Sequence, residues 1–338
     1  MTTARTPSGP GDEEGVSLPA DGWPWRKTRI SIPIRLGEVV LFRAEVEGLH
    51  FEPPFLSTPP QDRLVPPAAA MDASGLPLAR LASCPVGVDP PRCGYTDRHI
   101  ILVDAVYRRS FVDTSGSLED YLAGFSPKTL STFKRKERKI AASCTAGPCL
   151  RVFTRPGEMA EFHRLARAIS VNSVQERVFN DSLPADEAYV AQMVELASAG
   201  RLVGFLLYIE DQPAAFNYCP LGDDGVMVYD YSGYDQKFQK YSPGTVLQLK
   251  VIEHAFADPA IRAYDLHIGE GGHKDFFATG SVLCATVYFF RPTVRLLAIF
   301  GLKAGLRMMT ATASTVLKKL GLHAGVKKAI RSLLSARA

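Results

Sequence analysis

The stretch from Gln239 to Phe277 constrains the fold of this chain more than any other. Its tetrapeptide at 242–245, Ser-Pro-Gly-Thr, combines a helix-capping residue type, a proline suited to a first helical turn and a flexible glycine. Apolar residues then recur at helical spacing from Val246 to Phe256. The pattern predicts a helix whose first backbone N–H groups and positive dipole end can hold phosphate groups, although an ordinary capped helix begins in the same way.

A short strand and a glycine-rich turn follow this helix. Residues 263–268 alternate weakly as a strand, and the sequence Gly-Glu-Gly-Gly at 269–272 lets the backbone turn sharply and approach a ligand. His273 and Lys274 come next, on a brief helical turn. The order of these elements indicates a functional site as well as a core.

Three separated strings resemble the cellulose-biosynthesis (CelD/BcsL-type) acetyltransferases of the GNAT superfamily. They are FSPKTLSTFKRKERKI, GYDQKFQKYSPGTVLQL and GEGGHKDFFATG, in the order of that family. The resemblance covers residues 107–290 and implies an α/β (α+β) GNAT acyltransferase fold, with a mixed central sheet flanked by helices. It also implies acetyl-CoA or another acyl-CoA as co-substrate, with no metal.

The resemblance carries over to the turn before the predicted helix. GNAT proteins hold the pyrophosphate of acyl-CoA on an R/Q-x-x-G-x-G/A loop, which Gln239, Ser242 and Gly244 match here with serine in place of the first glycine. Together with Thr245, these residues are the predicted cofactor-binding set. In the second motif, His273-Lys274 stands where the broader family often has tyrosine-lysine.

Acyl transfer to an amine requires a base, a polarised thioester carbonyl and a stabilised leaving thiolate. His273 is the natural general base because its ordinary pKa lies near physiological pH, and Glu270 is the alternative base. Lys274 would supply a fixed positive charge, as an equivalent lysine does in Fem-type transferases. Tyr231 or Tyr234 could protonate the thiolate. A histidine that only binds the backbone and a tyrosine that only packs remain the alternatives.

Two other segments have more than one interpretation. The helix predicted from Pro127 to Ala142 carries six Lys or Arg residues, which favours a solvated face or steering of CoA and substrate over nucleic-acid binding, because aromatic residues do not interleave with them. The polar segment 172–177 lines an acceptor pocket or begins an exposed helix.

The rest of the chain is assigned to four regions. Residues 1–25 are predicted to be a disordered leader, 26–112 a β-rich N-terminal half, 113–290 the acyltransferase domain and 291–338 a basic amphipathic helical tail. A degenerate copy of the GNAT fold is one interpretation of 26–112, although its sequence shows no demonstrable repeat. Within the N-terminal half, strands join at Gly37 and Gly48, and residues 53–95 are mostly loop with a short helix near Met71. Residues 226–234 form the last strand of a three-stranded meander.

Composition narrows the class of protein further. The six cysteines form no C-x-x-C pair and align with no histidine pattern for zinc, so we predict reduced thiols. The tail from Arg291 holds ten Lys or Arg residues and no Asp or Glu, although the whole chain carries a formal charge of only +4. We expect a cytoplasmic protein without a transmembrane segment, whose tail contacts an anionic membrane surface at its inner face or packs back on the domain.

The predicted function is N-acyl transfer, with acetyl the expected group, from acyl-CoA to a small-molecule or saccharide amine, in polysaccharide or cell-envelope biosynthesis. A non-catalytic GNAT-like binding module in exopolysaccharide assembly is the alternative. A third interpretation is a Fem-like transferase that depends on aminoacyl-tRNA. Acyl-CoA binding distinguishes the first from the others.

Overall fold

The computed structural model describes residues 15–16, 23–37, 39–61, 63–173, 183–267 and 272–319, with backbone alone for 15, 16, 272, 273 and 313–319. The strands are β1 Gly15–Val16, β2 Trp25–Leu36, β3 Val39–Phe51, β4 Leu78–Pro85, β5 Cys93–Tyr95, β6 Ile100–Asp113, β7 Leu150–Phe153, β8 Leu202–Ile209, β9 Gln212–Pro220, β10 Val226–Val228, β11 Tyr231–Tyr234, β12 Ala263–Asp265 and β13 Gly280–Phe290. The helices are α1 Ala68–Ser74, α2 Leu118–Ala123, α3 Pro127–Ala141, α4 Met159–Ser170, α5 Glu187–Ser198, α6 Pro243–Ala257, α7 Gly272–Phe277 and α8 Val294–Lys319. The predicted leader lies mostly outside the described residues.

Internal contacts divide the chain into two compact units. The first holds the described residues up to Arg109 and those from Val282 onward. The second holds Ser110–His267 and residues 272–281. The last strand and the basic helix α8 therefore belong with the N-terminal strands.

The first unit is built on a sheet with the strand order β1-β2-β3-β4-β13-β6, and β5 pairs with β6. Alternate residues of β2, Ile30, Ile32 and Ile34, point to one face and pack with Leu296 and Phe300 of α8. A second cluster on the same unit includes residues of α1, β4 and β13. Side chains on both sheet faces are thus buried in this unit.

The second unit contains an antiparallel sheet in the order β7-β8-β9-β11. One face packs against α4 and α5, through residues such as Phe162 and Met193, and the other against α3 and α6, through Phe133 and Ile252. Beside it, β10 pairs parallel with β12, which pairs with residues 111–113 of β6. The mixed sheets flanked by helices confirm the predicted α/β GNAT fold class.

Several local predictions are wrong. Gly48 is not a strand junction but lies within β3, where a Cβ would come within 2.6 Å of Ile30 Cδ1. The predicted helix near Met71 is present, but the loop prediction over 53–95 missed β4, whose residues are buried on both faces and so show no alternation. Gly301 and Gly305 lie within α8 and do not break it.

Candidate functional site

The site begins where one predicted strand splits into two. Residues 226–234 were expected to form a single strand, but β10 pairs with β12 while β11 pairs with β9. The ladder towards β12 ends with the hydrogen bond from Tyr229 N to Asp265 O, at 2.8 Å, and Asp230 N already donates to Tyr218 O, at 3.2 Å. A wedge therefore opens between β11 and the chain that follows β12.

The start of α6 lies beside β11. Ser242 adopts a left-handed conformation, with φ 56°, and its side chain forms no capping hydrogen bond, while Pro243 occupies the first helical turn. A Cβ added at Gly244 would lie 3.6 Å from Cδ1 of Tyr234, so this helix end and the β11 tyrosine are in contact range. The positive end of the α6 dipole therefore lies beside a strand that borders the wedge.

The four predicted cofactor-binding residues all belong to this turn. Gln239 is exposed in the 3₁₀ helix Gln236–Tyr241, and its carbonyl accepts a hydrogen bond from Ser242 N, at 2.9 Å. Thr245 is half-buried, and its N–H donates to Ser242 O, at 3.1 Å. The local sequence thus brings together the residues selected from the motif, at the end of a helix long enough to carry a substantial dipole.

Lys274 supplies a positive charge at the wedge. Its Nζ donates to the backbone carbonyl of His267, at 3.4 Å, and lies 5.8 Å from the centroid of the Tyr229 ring. The Tyr229 hydroxyl in turn accepts a hydrogen bond from Ser232 Oγ, at 2.6 Å. An ammonium group, a phenol and a hydroxyl are therefore linked at the point where β10 and β11 diverge.

His267 marks the other side of the divergence. It has a left-handed backbone conformation, with φ 61°, and its N–H donates to the buried carboxylate of Asp265, at 2.8 Å. Left-handed non-glycine residues are strained and cluster at functional sites. Neither His267 nor Tyr229 was predicted from the sequence. The available signal was a histidine at the end of a strand, directly before a glycine-rich turn.

The remaining predicted catalytic residues are distributed differently. Tyr234 is half-buried on β11 and faces the start of α6. Glu270 lies outside the described residues, as does the side chain of His273. Their predicted roles as bases therefore stay predictions.

A cluster of tyrosines lies on the face of the β9–β11 pair opposite to Tyr234 and α6. The rings of Tyr189, Tyr218 and Tyr231 have centroid separations of 5.8 to 6.2 Å. Burial raises the pKa values of Tyr189 and Tyr218, and the negative charge of Asp230 raises them further. These phenols stay protonated and can donate hydrogen bonds on this face of the sheet.

Part of the segment 172–177 reaches the same face. Ser173 is buried, and its Cβ would lie 3.1 Å from a Cβ added at Gly233 of β11. Asn172 is exposed, and residues 174–177 lie outside the described residues. Close packing therefore holds the start of this segment against the strand that borders the wedge.

The basic helix α3 runs next to the turn that begins α6. Lys139 Nζ donates to the carbonyl of Lys240, at 3.3 Å, and lies 4.6 Å from the Tyr241 ring centroid. Glu137 of α3 forms an ion pair with Lys250 of α6, with 3.0 Å between Oε1 and Nζ. Because four of the other α3 cations, Lys128, Lys134, Arg135 and Arg138, are exposed, this surface adds positive potential beside the helix start.

Metal-ligating side chains do not converge in the part of the chain that the structure describes. No group of three or more His, Cys, Asp or Glu residues there could hold a metal ion. The described cysteines form no disulfide, and burial raises the pKa of Cys84 to about 12. That thiol is therefore a poor source of thiolate at neutral pH.

Comparison with known proteins agrees with this geometry. Residues 127–275 match the model of the acetyltransferase (GNAT) domain family, and this match contains the wedge, the start of α6 and Lys274. No curated protein matches the sequence.

Among solved structures, the chain is similar to L-PGS from Bacillus licheniformis, with 11% identity, coverage of 85% of this chain and 87% of that one, and a TM-score of 0.46. It is similar to FemX with 11% identity, coverage of 81% and 90%, and a TM-score of 0.44. A conserved protein from Bacteroides thetaiotaomicron VPI-5482 gives 12% identity, coverage of 65% and 72%, and a TM-score of 0.40. The family match and the strand order together show that the chain carries a GNAT-like acyltransferase domain.

Proposed function

We propose that this domain transfers an acyl group, with acetyl the expected one, from acyl-CoA to an amine acceptor. The observation that supports this most directly is the wedge, because it places the start of α6 and Lys274 at one opening of the sheet. Acyl-CoA supplies an activated thioester there. The turn at 239–245 would hold its phosphates, and β11 offers backbone groups on the side away from β9.

The described residues suggest a division of work. Lys274 carries a fixed positive charge that would stabilise negative charge developing on the carbonyl oxygen. Its ammonium group is held by the His267 carbonyl and the Tyr229 ring, so it need not reorganise during the reaction. Tyr234, next to Gly244, is the proposed proton donor to the departing thiolate, and His273 or Glu270 is the proposed base.

The acceptor is proposed from the sequence resemblance alone. The three strings shared with cellulose-biosynthesis acetyltransferases make amino sugars and other saccharide amines the first acceptors to screen.

The test is calorimetric titration of the full chain with acetyl-CoA and with a long-chain acyl-CoA, repeated on Gly244→Asp. A side chain at Gly244 meets Tyr234 only at ordinary contact distance, so the change should preserve the fold while it places negative charge beside the phosphates. Gly147→Asp is the matched control because nothing lies within 4 Å of a Cβ at that position. We expect binding that Gly244→Asp abolishes and Gly147→Asp leaves unchanged.

Absence of heat with either thioester, from protein shown to be folded, would reject the acyl-CoA proposal. The same variants would then be tested for transfer from aminoacyl-tRNA. Transfer of the aminoacyl group from aminoacyl-tRNA would identify a tRNA-dependent transferase. If no transfer is seen with this donor either, the domain would be a non-catalytic binding module.

A further inference from the structure

Helix α8 exposes an apolar face in the first unit. Its inner side packs through Leu296, Phe300 and Leu306. The outward side carries large hydrophobic residues, including Val294 at 87% and Met308 at 73% exposure. Small exposed residues lie between them, namely Ala298, Gly301, Ala304 and Gly305. The described side chains of α8 include no acidic one.

The tip of the β2–β3 hairpin lies against α8. Gly37 N donates to Thr310 Oγ1, at 3.2 Å, and thereby fixes the hairpin turn against α8. Phe42, half-exposed, is the register partner of Ile34, so it lies on the sheet face that α8 covers. Leu36 and Leu41 are also exposed at this tip. These hairpin residues and the outward residues of α8 together form what is called here the apolar patch.

Cationic side chains border the apolar patch. Arg295 donates to the backbone carbonyl of Glu45, at 2.8 Å, and Arg307 to that of Asp104, at 3.3 Å, so neither of these bonds neutralises the guanidinium charge. Arg43 is exposed next to Phe42. Exposed apolar side chains edged by cations in this way indicate an interaction site.

We propose that the apolar patch docks on the surface of an anionic lipid bilayer, with the bordering arginines at the level of the lipid phosphates. Helices with apolar residues on one side and cations at the boundary lie in the plane of such an interface. Each Lys or Arg near an anionic surface adds about 1 kcal/mol of attraction. None of the described helices is long and apolar enough to cross a membrane.

The charge of the segment from Arg291 argues against a second copy of the chain as the occupant. This segment holds ten Lys or Arg residues and no acidic residue, so two copies of it placed face to face would repel each other. An anionic headgroup layer has the complementary charge. The inference does not rest on acyl transfer, since it uses residues of the first unit only.

The test is co-sedimentation of the full chain with vesicles of pure phosphatidylcholine and of an equimolar mixture with phosphatidylglycerol. Met308→Glu and Phe42→Glu each replace an exposed apolar side chain of the patch with a carboxylate. Val88→Glu makes the same change in charge at a valine that is 67% exposed and lies outside the patch. Circular dichroism checks that each variant remains folded.

We expect the protein to sediment with the anionic vesicles, and each patch variant to lower its partition coefficient about tenfold, against less than about twofold for Val88→Glu. High salt should weaken binding. Equal losses in all three variants would overturn the proposal, as would absence of binding to anionic vesicles. A dimer that Met308→Glu converts to monomer, without effect on vesicle binding, would assign the patch to self-association and also overturn it.

Discussion

The pairing of β2 with β3 is long and continuous, whereas the pairing of β10 with β12 is short and ends where the chain diverges. β2 and β3 stay paired from Arg26–His50 to Leu36–Val39, with one register shift. The chain after β9 remains beside β12 only over Val226–Val228 and then turns to pair with β9 instead. Continuous pairing satisfies the backbone and builds a core, whereas the early divergence leaves an opening in which side chains of different chemistry meet.

The largest effect should come from a bulky residue in the continuous pair. A side chain at Gly48 would meet Ile30 Cδ1 at 2.6 Å and the backbone oxygen of Leu78 at 2.7 Å, and the backbone cannot yield easily. We expect Gly48→Val to lower the free energy of unfolding by about 3 kcal/mol. Urea unfolding followed by tryptophan fluorescence measures this, because both tryptophans lie in the first unit.

Gly94→Val is the control for this change. Its nearest contact would be Ile101 Cβ at 3.6 Å, which is an ordinary distance. Similar losses in the two variants would show that β3 is not packed as closely as its geometry indicates.

The second effect belongs to the diverging pair. If Lys274 stabilises developing charge, Lys274→Ala should lower kcat/KM about a hundredfold, or about 2.7 kcal/mol, without a change in unfolding. Lys134→Ala, at an exposed position of α3, is the matched control. Acyl-transfer assays measure kcat/KM for both variants. An unchanged kcat/KM in Lys274→Ala would show that Lys274 has no catalytic role.

The third effect is a pH dependence of the continuous pair. Burial, helped by Arg80, lowers the pKa of His50 to about 4, so the folded protein holds the ring neutral. Between pH 6.5, the ordinary pKa of histidine, and about pH 4, His50 is protonated in the unfolded chain but not in the folded protein. The free energy of unfolding therefore falls as the pH falls through this range.

We expect protonation of His50 to lower the free energy of unfolding by about 2 kcal/mol over that range. This figure is smaller than the full pKa shift would give, because solvent screens the exposed part of the ring. Urea unfolding of His50→Gln at a series of pH values should show a flatter profile. An unchanged profile would assign the acid sensitivity to other groups.

The smallest effect concerns the Tyr229 hydroxyl. Loss of its bond with Ser232 in Tyr229→Phe should lower kcat by about fivefold, since a single neutral hydrogen bond contributes about 1 kcal/mol. Adding Ser232→Ala should then have little further effect. Tyr95→Phe, at an exposed tyrosine of the first unit, serves as control, and additive losses at Tyr229 and Ser232 would show that the two hydroxyls act separately.

Local signals predicted the helices that frame the site. α3 begins at Pro127 and α6 at Pro243, as predicted, although the Ser242 side chain forms no capping hydrogen bond. The motif likewise selected the turn at 239–245. These features depend on neighbouring residues, so the sequence specifies them directly.

Long-range pairing explains the misses. Nothing within residues 226–234 shows that the strand divides, because the division arises when β12 pairs with β10 but not with β11. The position of Tyr229 over Lys274 follows from that division and could not be predicted. His267 was missed for the same reason, since its left-handed turn acquires meaning only beside the opening.

The position of β13 between β4 and β6 has a consequence for synthesis of the chain. Both neighbours emerge from the ribosome early, and each exposes an unpaired edge until β13 follows, after the entire second unit has been translated. The second unit is nearly contiguous in sequence and can close first. The nascent N-terminal strands therefore keep two unpaired edges, at which edge-to-edge aggregation can begin, for most of the time that translation takes.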